Sequence, residues 1–88
     1  MASIKNLKKD VNFVFGDIIE AVYVWQLTNP EKDVTASEGI IDEAIVAFDE
    51  TMDSINAKNV EDRKAHFTAI KKSVEDRGRA LIDKINNL

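Results

Sequence analysis

A chain of 88 residues makes one domain at most, and a core that small is marginal unless regular helix packing, oligomerisation, a metal or disulfides support it. The absence of cysteine excludes disulfides, thiolate metal sites and cysteine nucleophiles, and it fits a cytosolic setting. A hydrophobic content of 44% excludes a disordered chain, and one proline with three glycines leaves room for long helices. The net charge of −4 disfavours non-specific attachment to nucleic acid or anionic membranes.

The first predicted helix spans 3–28, about 39 Å at 1.5 Å per residue, with Ser3 as its cap. Its apolar stripe recurs in heptads: Ile4, Val11, Ile18 and Trp25 in one row, Leu7, Val14 and Ala21 in the next, widened by Phe15 and Val22. Gly16 falls off this stripe, so it marks either a close helix approach or nothing. Phe13, Tyr23, Val24 and Leu27 also fall outside it, with Phe13 and Val24 roughly opposite. A helix that is apolar on more than one side buries more than one side, which predicts self-association or a partner helix.

Thr28 to Asp33 contains Pro30 and reads as an exposed loop, because proline lacks an N–H and disfavours helical geometry in the residue before it. The second predicted helix spans 36–57. Thr35 and Glu38 carry the spacing of a capping box. Ile41, Ala44, Ile45, Phe48, Met52 and Ile55 form its apolar stripe, opposite an acidic face of Asp42, Glu43, Asp49, Glu50 and Asp53. No lysine or arginine occurs between Asp33 and Lys58.

A short turn at 56–59, with Asn59 as cap and Asp62 in the first turn beyond it, leads into a third helix over 60–87. So short a connection makes helices two and three antiparallel neighbours. Phe67, Ile70, Val74, Leu81, Ile85 and Leu88 form the third stripe. Gly78 lies within it and predicts a close backbone approach. Arg63, Lys64, Lys71 and Arg77 flank this stripe and complement the acidic second helix, each pair adding about 0–1 kcal/mol. The fold class is therefore all-α: a three-helix, up-down-up antiparallel bundle with coiled-coil-like packing, dimerising into a larger bundle.

No motif for chemistry stands out. His66, the sole histidine, suggests phosphotransfer with Lys71 and Lys72 nearby, yet Ala69 and Ile70 stand where such domains place a lysine and then a glycine. A di-metal bundle needs Glu-x-x-His pairs, and neither Glu61 nor Asp62 stands three before His66. Hydrolytic triads need a preorganised pocket, and glycine-rich phosphate loops are absent. Lys71, Lys72, Arg77, Arg79 and Lys84 could follow a phosphate backbone, but Glu75, Asp76 and Asp83 interrupt them. No apolar run approaches the roughly 20 residues of a membrane span, and the first ten residues lead into no signal-peptide apolar stretch.

The run from Leu7 to Ala21, Leu-Lys-Lys-Asp-Val-Asn-Phe-Val-Phe-Gly-Asp-Ile-Ile-Glu-Ala, resembles the start of small uncharacterised helical proteins of Bacteroidetes bacteria. The resemblance implies a bacterial, cytoplasmic protein and supplies no activity or site residues. Secreted helical hairpins of similar length carry a Trp-x-Gly turn, and here Trp25 is followed by Gln26 and Leu27. The expectation is a non-enzymatic interaction or structural protein without cofactor, metal or small-molecule substrate. It self-associates as a homodimer through Phe13, Tyr23, Val24 and Leu27. The alternative is a heteromeric regulator or adaptor that uses the same face or the acidic face of helix two.

Overall fold

A computed structural model describes residues 4–58 and 60–88. Three helices account for the fold: α1 (Ile4–Thr28), α2 (Thr35–Ile55) and α3 (Arg63–Asn86), with no strand among the described residues. Phe15 meets Phe48 edge-on with ring centroids 6.5 Å apart, and Gln26 donates to the Ser37 hydroxyl at 2.9 Å, so α1 and α2 run antiparallel. Arg77 reaches Glu50 and Lys84 reaches Glu43, so α2 and α3 are antiparallel as well. Gly78 lies beside Val14 and Ile18 of α1. All three helix pairs touch, and the result is an up-down-up bundle of 50 × 18 × 17 Å. No described helix is long and apolar enough to cross a membrane.

The core face of α1 is Leu7, Val11, Phe15, Ile18 and Val22, stepping by four or three. The expected row Leu7, Val14, Ala21 is buried, half-buried and exposed in that order. A strict heptad row rotates by about 20° per repeat on a straight helix, and this row turns out of the core at that pace. Ile4 at the helix terminus is exposed, and Trp25 is half-buried. Phe15 and Val22, expected only to widen the stripe, are central instead; fully burying side chains of this kind stabilises by about 1.5–3 kcal/mol each.

On α2 the buried arc is Ser37, Ile40, Ile41, Ala44, Ala47, Thr51 and Ile55, with Phe48 and Met52 half-buried. Ile45 is exposed, contrary to its expected place in the stripe. The reason is that α2 packs against two neighbours at once, so its contact arc is wide and is completed by small residues. The buried hydroxyls are satisfied locally: Thr51 donates to the Ala47 carbonyl at 2.6 Å and Ser37 to the Val34 carbonyl at 2.9 Å.

The helix starts also differ from expectation. The Thr35–Glu38 box does not form. Val34 is the cap residue without a side-chain bond, and Asp33 accepts from both the Thr35 backbone N–H, at 2.9 Å, and its hydroxyl, at 2.7 Å. Glu38 instead accepts from Gln26 at 3.3 Å. Helix α3 begins at Arg63 rather than 60, because Asp62 is its cap and accepts from the Ala65 N–H at 3.1 Å. The caps expected at Ser3 and Asn59 lie outside the described residues. The α3 stripe is as read: Ile70, Val74, Gly78 and Leu81 are buried, with Phe67, Ile85 and Leu88 packed against them. A Cβ built on Gly78 would stand 3.2 Å from Val14 Cγ1, which is the close approach its position predicted.

Candidate interaction surfaces

Phe13, Tyr23, Val24 and Leu27 all project to solvent, at 56%, 51%, 52% and 79% exposure. The bundle wraps α1 on one side only, so the surplus apolar surface is not consumed within the chain. The structure nevertheless divides the group. Tyr23, Val24 and Leu27 sit within two turns of each other at the C-terminal end of α1. Phe13 is eleven residues before Val24, which is about 17 Å along the axis and within about 20° of the same line. Asp17 and Glu20 occupy the outer surface between them. Lys9 Nζ lies 5.9 Å from the Phe13 ring centroid, an exposed cation–π contact. Gly16 meets nothing and supports no close approach.

The acidic face of α2 is likewise exposed, but its members differ in role. Glu43 pairs with Lys84 at 2.6 Å and Glu50 with Arg77 at 2.7 Å. These two pairs carry the α2–α3 complementarity expected of Arg63, Lys64, Lys71 and Arg77; of that set only Arg77 takes part. Asp42, Asp49 and Asp53 make no ion pair among the described residues. Between the two pairs lies a feature that the hydropathy stripes did not reveal. It is a groove of about 390 Å³ along the α2–α3 seam, floored by Val46, Ala47, Ala80 and Leu81. Val46 is 54% exposed. The available signal was its isolation: it is the one large apolar residue in the exposed stripe Asp42, Val46, Asp49, Asp53.

His66 is half-buried, and its Nε2 is 2.7 Å from the Ser54 carbonyl oxygen. A carbonyl only accepts, so the contact fixes the proton on Nε2 and joins the start of α3 to the last turn of α2. Of the two lysines expected to balance a phosphate, Lys72 is paired with Asp76 at 3.5 Å. Arg77, Arg79 and Lys84 are also in ion pairs, which leaves Lys71 as the one unpaired member of the expected cationic set among the described residues. A cleft of about 510 Å³ at the far end of the bundle is lined by Lys8, Lys58, Arg63 and His66 beside Ile55 and Phe67. Arg63 is stacked 5.8 Å from the Phe67 ring. Among the described residues no three His, Cys, Asp or Glu side chains are grouped to hold a metal ion.

Compared with known proteins, the chain matches no family model, no curated protein and no solved structure.

Proposed function

We propose that this protein is a non-enzymatic interaction module that self-associates through the outward face of α1. The observation that carries the reading is the exposure of Phe13, Tyr23, Val24 and Leu27 on a helix whose other side is already committed to α2 and α3. Aromatic and large aliphatic side chains on a rigid helix are the anchor type that dominates binding energy at protein interfaces. A cytoplasmic setting belongs to the same proposal, since the chain needs no disulfide to hold its bundle.

Area limits how the face can be used. A strip as long as α1 and one helix wide offers about 400 Å², half of the roughly 800 Å² per partner in a standard interface. The self-contact must therefore engage more than α1 of each copy. A second reading, an adaptor that docks a different protein on α1, is favoured by Asp17 and Glu20 in the middle of the face, which call for basic complements. Size exclusion coupled to light scattering over a hundredfold concentration range decides between them. Self-association gives a mass that rises above the 9.9 kDa monomer, and Phe13→Glu or Val24→Glu lowers it with helicity intact. A parent chain that stays monomeric throughout, or variants that associate like the parent, would overturn the first reading.

A further inference from the structure

The outward face of α1 and the α2–α3 groove lie on opposite flanks of the bundle, and their chemistries match. Lys5, Lys9 and Phe13 form an exposed stripe at steps of four. Val46, Asp49 and Asp53 form an exposed stripe at steps of three and four, with the groove floor of Ala47, Ala80 and Leu81 beside Val46. From Phe13 back to Lys5 is about 12 Å along its axis, and from Val46 on to Asp53 is about 10.5 Å.

We propose that the occupant of the groove is α1 of a second copy, docked antiparallel to α2, with Phe13 on Val46 and the groove floor and with Lys9 and Lys5 facing Asp49 and Asp53. This rests on the self-association reading and specifies what the α1 face meets. Charge selects the direction. Lys9 and Lys5 are turned about 40° and 80° to one side of Phe13, and Asp17 about 40° to the other. In the antiparallel sense the lysines face the unpaired carboxylates of α2, and Asp17 faces α3 at the level of Lys84. Docked parallel, the lysines would lie on the α3 side at the level of Lys84 and beyond it, while Asp17 met the α2 carboxylates. An α1-to-α1 pairing is disfavoured for a related reason. With Phe13 on Val24 of the other copy, Asp17 and Glu20 of both copies meet at the centre, and like charges so placed destabilise. Seating α1 in a groove also brings it into contact with two helices of the receiving copy, which supplies the area that a single helix face lacks.

Because the two surfaces are different and face opposite ways, the contact is heterologous and repeats head to tail, as a ring or an open chain. Phe13→Glu blocks the inserting face and Val46→Glu the receiving groove, and both sites are exposed, so circular dichroism should show the parent helicity in each. The experiment is sedimentation velocity on the full chain, on each variant, and on their equimolar mixture. Expected are parent species larger than a dimer at high concentration, at least a tenfold weaker association for each variant alone, and a mixture that forms a one-to-one dimer and grows no further. If Val46→Glu associates like the parent while Phe13→Glu does not, the groove is not the receptor and the proposal fails, with self-association through α1 left standing. If the parent is monomeric at every concentration, both readings fall.

Discussion

Gly78 packs closely against α1, and replacing it with alanine tests the crossing of α1 and α3. In a helix interior alanine is favoured over glycine by about 0.8–1.0 kcal/mol. At Gly16 nothing lies within 4 Å of the added methyl, so Gly16→Ala should realise that gain, about 1 kcal/mol or roughly 4–8 °C in a domain of this size. At Gly78 the same methyl stands 3.2 Å from Val14 Cγ1 and 3.8 Å from Ile18 Cδ1. Val14 is half-buried and can yield a few tenths of an ångström, but its branched side chain has few alternative rotamers. Overpacking of a core costs about 1–3 kcal/mol, and the partial freedom of Val14 puts this case at the lower end. Gly78→Ala should therefore come out near the parent, the propensity gain and the clash nearly cancelling, and trail Gly16→Ala by about 1 kcal/mol, the cost of the clash. Thermal unfolding by far-UV circular dichroism at low protein concentration gives both shifts. Equal stabilisation by the two substitutions would refute the close approach, and with it the placement of Gly78 against α1.

Phe15→Ala should cost about 3–5 kcal/mol. That is a large part of the roughly 4–13 kcal/mol available to a domain of this length, so urea unfolding should shift strongly, while Leu27→Ala stays within about 0.5 kcal/mol. Asp62→Ala removes the α3 cap and should cost about 1 kcal/mol by the same measurement. Asp33 is held below the ordinary aspartate range, first by the Thr35 backbone N–H and then by its hydroxyl. A depressed folded value adds stability above the unfolded value of about 3.9 and loses it as pH falls through the folded value. The deficit of Asp33→Ala should thus be present at neutral pH and shrink in acid, and a deficit that does not shrink as the pH is lowered would contradict it. Lys84→Glu against Glu43→Lys should rescue each other in a double variant, with a coupling under about 1 kcal/mol in a double-mutant cycle.

Helix number, order and the whole α3 stripe were legible because hydropathy period and proline placement act locally. What escaped was set by neighbours. Ala21 left the core through accumulated rotation, and Ile45 was displaced by Ala47, Thr51 and Ser37, which a hydrophobicity pattern passes over. The Thr35–Glu38 spacing was a sound signal that lost to a competitor, since Asp33 took Thr35 and Gln26 took Glu38. The exposure of Phe13, Tyr23, Val24 and Leu27 could be read from their angle on α1. The groove could not, because it joins Val46 and Ala47 to Ala80 and Leu81 across a seam that exists only after folding.

Helix α2 is tied at each end to the helix next to it by a side chain that lies outside the connecting turn. Near its start the Gln26 amide reaches Ser37, and near its end the His66 ring reaches the Ser54 carbonyl. Each fastening carries the alignment that a turn would otherwise have to impose, so that, apart from Asp33 and Asp62 at the starts of α2 and α3, the two connections are left with little more than the task of continuity. They are accordingly the places where the chain should accept a tag, a longer tether, or a break with new termini, and still close into the same rod.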